Sequence, residues 1–96
     1  MSYLKNEKKI ATISFSEIGF DTSIEVAKEI QKEIKEFFTE NPDGEVKLEF
    51  GGYARLSKPF ADALFGKRAL VEHMDKISTW QMHIFDGQII QEVMSK

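Results

Sequence analysis

The segment VKLEFGGYARLSKPFADALFG, residues 46–66, contains the local signals on which the predicted fold depends. Apolar and charged residues alternate over 46–50, which is the pattern of a strand with one buried face. Two glycines then end the strand, because glycine readily adopts backbone angles that a strand does not use. Ser57 and Pro59 follow in an order typical of a helix start. A serine hydroxyl there accepts hydrogen bonds from free backbone amides, and proline is tolerated because amides in the first turn have no partner within the helix. The segment therefore predicts a strand, a loop and the beginning of a helix, in the place where α/β proteins usually carry their binding groups.

The residues before this segment predict a strand followed by a long helix. Apolar residues recur three and four positions apart over residues 23–39, and lysines and glutamates fill the positions between them. This is the pattern of an amphipathic helix with a solvated charged face. An alternating run at 10–15 predicts a strand ahead of the helix. Because a strand, helix, strand order with a crossover of this length joins parallel neighbours, we expect the strands at 10–15 and 46–50 to pair in parallel.

The residues after this segment predict a second helix, a third strand and a terminal helix. The second helix begins near Ser57 and contains Gly66, which indicates either close approach of another backbone or a break into two shorter helices. Alternation over 79–85 predicts a strand, and we expect its Trp80 and Phe85 to be core contacts. Residues 88–94 predict a short helix.

These elements define one small α/β domain. A polar N-terminal segment, 1–8, precedes a domain at 9–96 with the order β-α-β-α-β-α. The expected architecture is a short, mostly parallel open sheet covered by helices. A chain of 96 residues has enough apolar surface for one core only.

The composition excludes several classes of function. The chain has no cysteine, which excludes disulfides, thiolate metal sites and a cysteine nucleophile, and which fits a cytoplasmic location. A formal net charge of -3 provides no overall attraction to nucleic acid or anionic lipid. No apolar run approaches the roughly 18 residues that a membrane helix needs, and the N-terminus is polar, so we expect neither membrane insertion nor export.

The sequence also lacks the motifs that would predict a catalytic, metal or cofactor site. His73 and His83 stand on different elements without a paired ligand spacing, so no metal site is predicted. The chain lacks a serine-nucleophile elbow and both glycine patterns of nucleotide sites, so we predict no cofactor and no enzymatic activity. Tyr53, Arg55 and Lys58 could form a basic, partly aromatic surface for single-stranded nucleic acid, but the acidic excess disfavours that function. The alternative is that Tyr53 packs at the sheet edge and the basic side chains are solvated.

Residues 48–66, and most specifically the run FADALFG at 60–66, resemble the STAS-like domains of the DUF4325 type. The resemblance extends by pattern over roughly residues 9–94. It implies a STAS-like fold and a non-enzymatic, bacterial-type signalling module that binds a protein, often a GHKL-type kinase or ATPase. Related domains carry a phosphorylated serine at the corresponding helix start, where this chain has Pro59. Ser57, two residues earlier, is then the alternative modification site, and phosphate there would be favoured by the helix N-terminus.

The leading hypothesis is therefore a STAS-like regulatory module that binds a protein partner through the loop at 51–58 and the first turns of the second helix. Tyr53, Arg55, Lys58 and Asp62 are the predicted contact residues. The alternative is a small stand-alone inhibitor or accessory protein, for instance of mobile-element origin, that uses the same scaffold without a switch. Formation of a homodimer through a helix or a sheet edge is compatible with both hypotheses.

Overall fold

The computed structural model describes residues 3–15, 23–52, 57–66 and 70–95. Over these residues the chain alternates strands and helices after an N-terminal β-hairpin. The elements in order are β1 (Lys5–Glu7), β2 (Ile10–Ser14), α1 (Ile24–Glu40), β3 (Glu45–Glu49), α2 (Lys58–Phe65), a 3-10 helix (Val71–Lys76), β4 (Ile77–Trp80) and α3 (Ile84–Met94).

The four strands form one sheet in the order β1-β2-β3-β4. β1 is antiparallel to β2, whereas β2 and β3, and then β3 and β4, are parallel. The predicted open, mostly parallel sheet and the predicted parallel pairing of β2 with β3 are confirmed. Because each crossover moves one strand further in the same direction, right-handed connections place α1 and α2 on the same face of the sheet.

The hydrophobic core lies between that face and the helices. Side chains alternate along β2 and β3, so that Ala11, Ile13, Val46 and Leu48 are fully buried while their neighbours face the other side. The helices contribute further buried apolar side chains, which are Val26, Ala27, Ile30, Ile34, Phe37 and Phe38 from α1, Phe60, Ala61, Leu64 and Phe65 from α2, and Ile90 and Val93 from α3.

An aromatic cluster closes the core where the parallel strands end. The rings of Phe15 and Phe50 stack with centroids 4.9 Å apart, and Phe60 packs edge-on against Phe15 at 6.2 Å. Such geometries are the favoured arrangements of aromatic pairs. The cluster joins the ends of β2 and β3 to the first turn of α2, which fixes the start of that helix against the sheet.

β1 lies inside the segment that the sequence predicts to be only a polar N-terminal segment. Its residues Lys-Asn-Glu are all exposed, so no apolar alternation marks it as a strand. The segment is instead held by the Glu33 carboxylate of α1, which accepts hydrogen bonds from the backbone N–H groups of Tyr3 (2.9 Å) and Leu4 (3.2 Å). A contact across 30 residues of sequence therefore supports this strand.

The second helix breaks at Gly66, which was one of the two alternatives drawn from the sequence. α2 ends at Phe65, and the Gly66 N–H donates to the Asp62 carbonyl as the helix cap. The next helical element of the described chain is the 3-10 helix Val71–Lys76.

The prediction for the last strand is wrong in its bounds and in its buried residues. The strand spans Ile77–Trp80 rather than 79–85, and α3 begins at Ile84 rather than at 88. Trp80 and Phe85, expected in the core, are 51% and 59% exposed. The reason is local: Gln81 has a left-handed φ of 53°, which ends the strand, and the His83 ring nitrogen accepts the Phe85 N–H and caps α3. The alternation over 79–85 thus spans two different elements.

Candidate functional site

The connection from β3 to α2 begins with two glycines in the left-handed region. Gly51 has φ 74° and Gly52 has φ 83°, as their lack of a side chain allows. The Gly52 N–H donates to the Gln81 carbonyl at 2.7 Å, which ties this turn to the end of β4. Tyr53 and Arg55, two of the predicted contact residues, lie outside the described residues.

Ser57 occupies the N-cap of α2, as the sequence predicts. Its backbone is extended, and its hydroxyl oxygen accepts the Phe60 N–H at 3.2 Å. Pro59 lies in the first turn, where no intrahelical partner is needed for its nitrogen. Ser57 is exposed, and its phosphorylation stays a prediction.

Lys58 connects α2 to α3. Its ammonium group donates to the Glu92 carboxylate at 2.6 Å, and both side chains are about half exposed. The hydrogen bond to Glu92 and the charge of Glu92 raise the pKa of Lys58 above its ordinary value; desolvation opposes this in part, and the Asp62 charge makes the smallest contribution, also upward. The cation predicted to contact a partner is therefore engaged by a carboxylate of the same chain.

Asp62 lies one turn further along α2, next to Lys58 on the helix surface, and borders a groove. The groove has a volume of about 560 Å³ and runs between α1 and α2. We call it the α1–α2 groove, and it is lined by Ile24, Lys28 and Gln31 from α1 and by Pro59, Asp62, Ala63 and Gly66 from α2 and its cap. Lys58 and Asp62 therefore lie one helical turn apart, but Lys58 pairs with Glu92 of α3 whereas Asp62 lines the groove between α2 and α1.

A hydrogen-bonded crosslink sets the spacing of the two helices at the groove. The Gln31 side-chain amide donates to the backbone carbonyls of Ala63 at 3.1 Å and Leu64 at 3.0 Å. These carbonyls belong to the last turn of α2, which lacks intrahelical donors for them. Gln31 therefore satisfies the end of α2 and holds the groove in one geometry.

Among the described residues that line it, the groove combines apolar surface with one charge of each sign. Ile24 is 47% exposed, and Pro59 and Ala63 extend the apolar surface beside it. Lys28 and Asp62 supply opposite charges from the two helices. The sequence places Ile24 on the buried face of the helix, so periodicity alone gave no signal for its role, and Gln31 gave none because its partners lie 32 residues away.

The described residues contain no group of three or more histidine, cysteine or acidic side chains that could hold a metal ion. The two histidines have structural contacts instead: the His73 ring stacks on Phe38 with centroids 4.4 Å apart, and His83 caps α3. No helix in the described part of the chain has the length and apolar character to span a membrane.

No protein-family model, no curated protein and no solved structure matches this chain.

Proposed function

We propose that this protein is a non-enzymatic regulatory module that binds a protein partner at the α1–α2 groove and the adjoining first turns of α2. The observation that carries the proposal is the groove itself, with an exposed apolar side chain and opposite charges on facing helices. It borders the helix start at which the resemblance to STAS-like domains implies a docking surface. The four-stranded open sheet with its helices is compatible with that resemblance.

The apolar part of the groove would supply affinity. Fully burying an isoleucine side chain stabilises a complex by about 1.5–3 kcal/mol, so covering the exposed 47% of Ile24 corresponds to about 1 kcal/mol. Pro59 and Ala63 add rigid apolar surface that loses little side-chain entropy on binding. Because the Gln31 crosslink holds the helices before a partner arrives, binding needs little reorganisation of the groove.

The charged part of the groove would determine the direction in which a partner segment binds. Lys28 and Asp62 lie on different helices, so a partner segment with an acidic and a basic side chain fits in one direction only. The proposed partner class is a GHKL-type kinase or ATPase, as the STAS-like resemblance implies. Phosphate on Ser57 would add negative charge one residue from Lys58 and compete with Glu92 for its ammonium group. Absence of phosphorylated Ser57 in protein isolated from its source during kinase activity would refute the modification.

Capture from a lysate of the source cells tests the proposal. The wild-type chain should retain a specific protein, and Ile24→Glu and Asp62→Lys should each lose it, because one places a charge on the apolar surface and the other makes both groove charges positive. Glu36→Lys is the matched control, since it makes the same charge change as Asp62→Lys at an exposed position of α1 outside the groove.

Equal capture by all four proteins would refute the groove as the binding surface. The double variant Tyr53→Ala with Arg55→Ala tests the predicted loop contacts separately. Retained capture by this double variant, together with loss in Ile24→Glu, would restrict the surface to the groove.

A further inference from the structure

β4 forms an edge of the sheet that the helices leave uncovered. Within the described residues it pairs with β3 on one side, and no strand lies along its other side. Thr79 is next to Leu48 in the register, on the face that packs against the helices. Leu48 is fully buried, whereas Thr79 is exposed. β4 therefore extends beyond the helix layer, with side chains exposed on both faces.

The outer edge of β4 presents backbone hydrogen-bonding groups. The Phe50 N–H donates to the Trp80 carbonyl at 3.0 Å, so the peptide groups of Trp80 point toward β3. Successive residues of a strand point their N–H and C=O groups to opposite sides, so those of Thr79 point outward from the sheet.

The two edges of the sheet differ in chemistry. β1, at one edge, carries Lys5 and Glu7, and charged side chains are a common protection against pairing with another chain. β4 has the sequence Ile-Ser-Thr-Trp, with no charge and no proline. The β4 edge lacks the usual protection.

Exposed apolar side chains concentrate around the same strand. Six large apolar side chains are exposed among the described residues, and four of them lie at positions 71–85: Val71 (41%), Trp80 (51%), Ile84 (68%) and Phe85 (59%). Their exposed apolar area is on the order of 300 Å². An uncharged edge strand with a half-exposed Trp80 is suited to association with another sheet edge.

We infer that a second copy of this chain pairs with β4 in antiparallel fashion, which joins the two sheets into one. A two-fold axis through Thr79 brings the outward peptide groups of Thr79 in one copy against the same groups in the other. The Thr79 N–H of each copy then donates to the Thr79 carbonyl of its partner. In that register Trp80 of each copy lies beside Ser78 of its partner.

The charges of the chain favour this edge for self-association. Each copy has a formal net charge of -3, so contact between charged surfaces of two copies would be opposed, whereas β4 itself contributes no charge. Because an edge of four residues covers far less than the roughly 800 Å² of total surface that each partner buries in a standard stable interface, the dimer should be weak and reversible.

Sedimentation velocity measurements from about 10 µM to about 1 mM test the inference, since a weak interface should associate within this range. The mean mass of the wild type should rise toward twice the monomer value. Thr79→Lys should stay monomeric, because its charge meets the same charge across the two-fold axis. Thr39→Lys, the same substitution at an exposed position in the last turn of α1, is the control and should associate like the wild type.

A wild type that stays monomeric throughout would overturn the inference, as would association of Thr79→Lys at the wild-type concentration. Loss of association in Thr39→Lys would also overturn it, because a lysine outside the sheet would then be enough to prevent association. Hydrogen exchange of wild-type protein provides a readout that needs no variant. Protection of the Thr79 amide should increase with concentration, and unchanged protection while the mass doubles would contradict pairing at β4.

Discussion

Adding one methyl group at each of two buried glycines should change stability in different directions, because the neighbours of the methyl group differ. Gly44 lies between the end of α1 and β3. A Cβ atom there would lie 2.7 Å from two ring carbons of Phe37 and 2.9 Å from the Lys9 carbonyl oxygen. Phe37 is 3% exposed, and the Lys9 carbonyl accepts the Glu45 N–H at 2.9 Å, beside the start of the β2–β3 pairing. Neither neighbour can move without disturbing the core or the sheet.

Gly66→Ala is the matched control. Gly66 has φ -70°, which alanine adopts without strain, and the three described atoms nearest to its added Cβ all belong to the Asp62 side chain, the nearest being a carboxylate oxygen at 2.6 Å. Asp62 is exposed, so its carboxylate can rotate into solvent. Replacing glycine by alanine at a compatible position stabilises a protein by about 0.4–1 kcal/mol through the unfolded state. Rotation of Asp62 offsets part of this gain.

The expected difference is large enough for routine measurement. Overpacking a well-filled site costs about 1–3 kcal/mol, so Gly44→Ala should lower Tm by about 4–20 °C in a domain of this size. Gly66→Ala should leave Tm unchanged or raise it by a few degrees. Thermal and urea unfolding of both variants beside the wild type measure this directly. Equal destabilisation by the two substitutions would refute the argument that rigid neighbours determine the cost.

Two further substitutions test the polar contacts. Glu33→Gln should lower the free energy of unfolding by about 1–2 kcal/mol, because a neutral amide oxygen is a weaker acceptor than the carboxylate for the two N-terminal amides. Urea unfolding measures the loss, hydrogen exchange should speed up at the amide of Tyr3, and unchanged exchange there would count against the contact. Lys58→Met removes the ion pair with Glu92. Because the pKa of Lys58 is raised in the folded state, this ion pair stabilises the fold fully at pH values below the unfolded-state pKa of 10.5. Its contribution is lost as pH rises through the folded-state pKa, which lies above 10.5. In urea unfolding at a series of pH values, the stability difference from wild type should therefore be constant from pH 7 to about 9, decline as pH passes 10.5 and disappear only above the folded-state pKa; a difference that changes between pH 7 and 9 would contradict the assignment.

The elements with strong local patterns were predictable from the sequence. The first helix was expected at 23–39 and spans Ile24–Glu40, because its apolar residues repeat with the helical period and Asn-Pro-Asp-Gly stops it. Ser57 could be recognised as a cap because capping depends on residues three positions apart. The strands β2 and β3 and their parallel pairing follow from alternation and crossover length.

Elements that depend on distant contacts were not predictable in this way. β1 has no apolar pattern, and its neighbouring segment is held by Glu33. Trp80 and Phe85 continue an alternation that the left-handed Gln81 interrupts, so two elements resembled one strand. Of the predicted contact residues, Asp62 borders the groove and Lys58 pairs with Glu92, a distinction that depends on which helix packs on each side of α2.

The sequence by itself determined the apolar faces, the helix caps and the glycine-rich turn after β3, because these features depend on residues within a few positions of one another. Only the tertiary structure decided that Ile24 and Gln31 of α1 meet α2 in a groove, and that β4 is left at an uncovered edge. Such features depend on how the elements pack, and packing joins residues more than 30 positions apart. The segment at 46–66 therefore marks where the proposed binding site begins, while the opposing wall of the groove comes from α1.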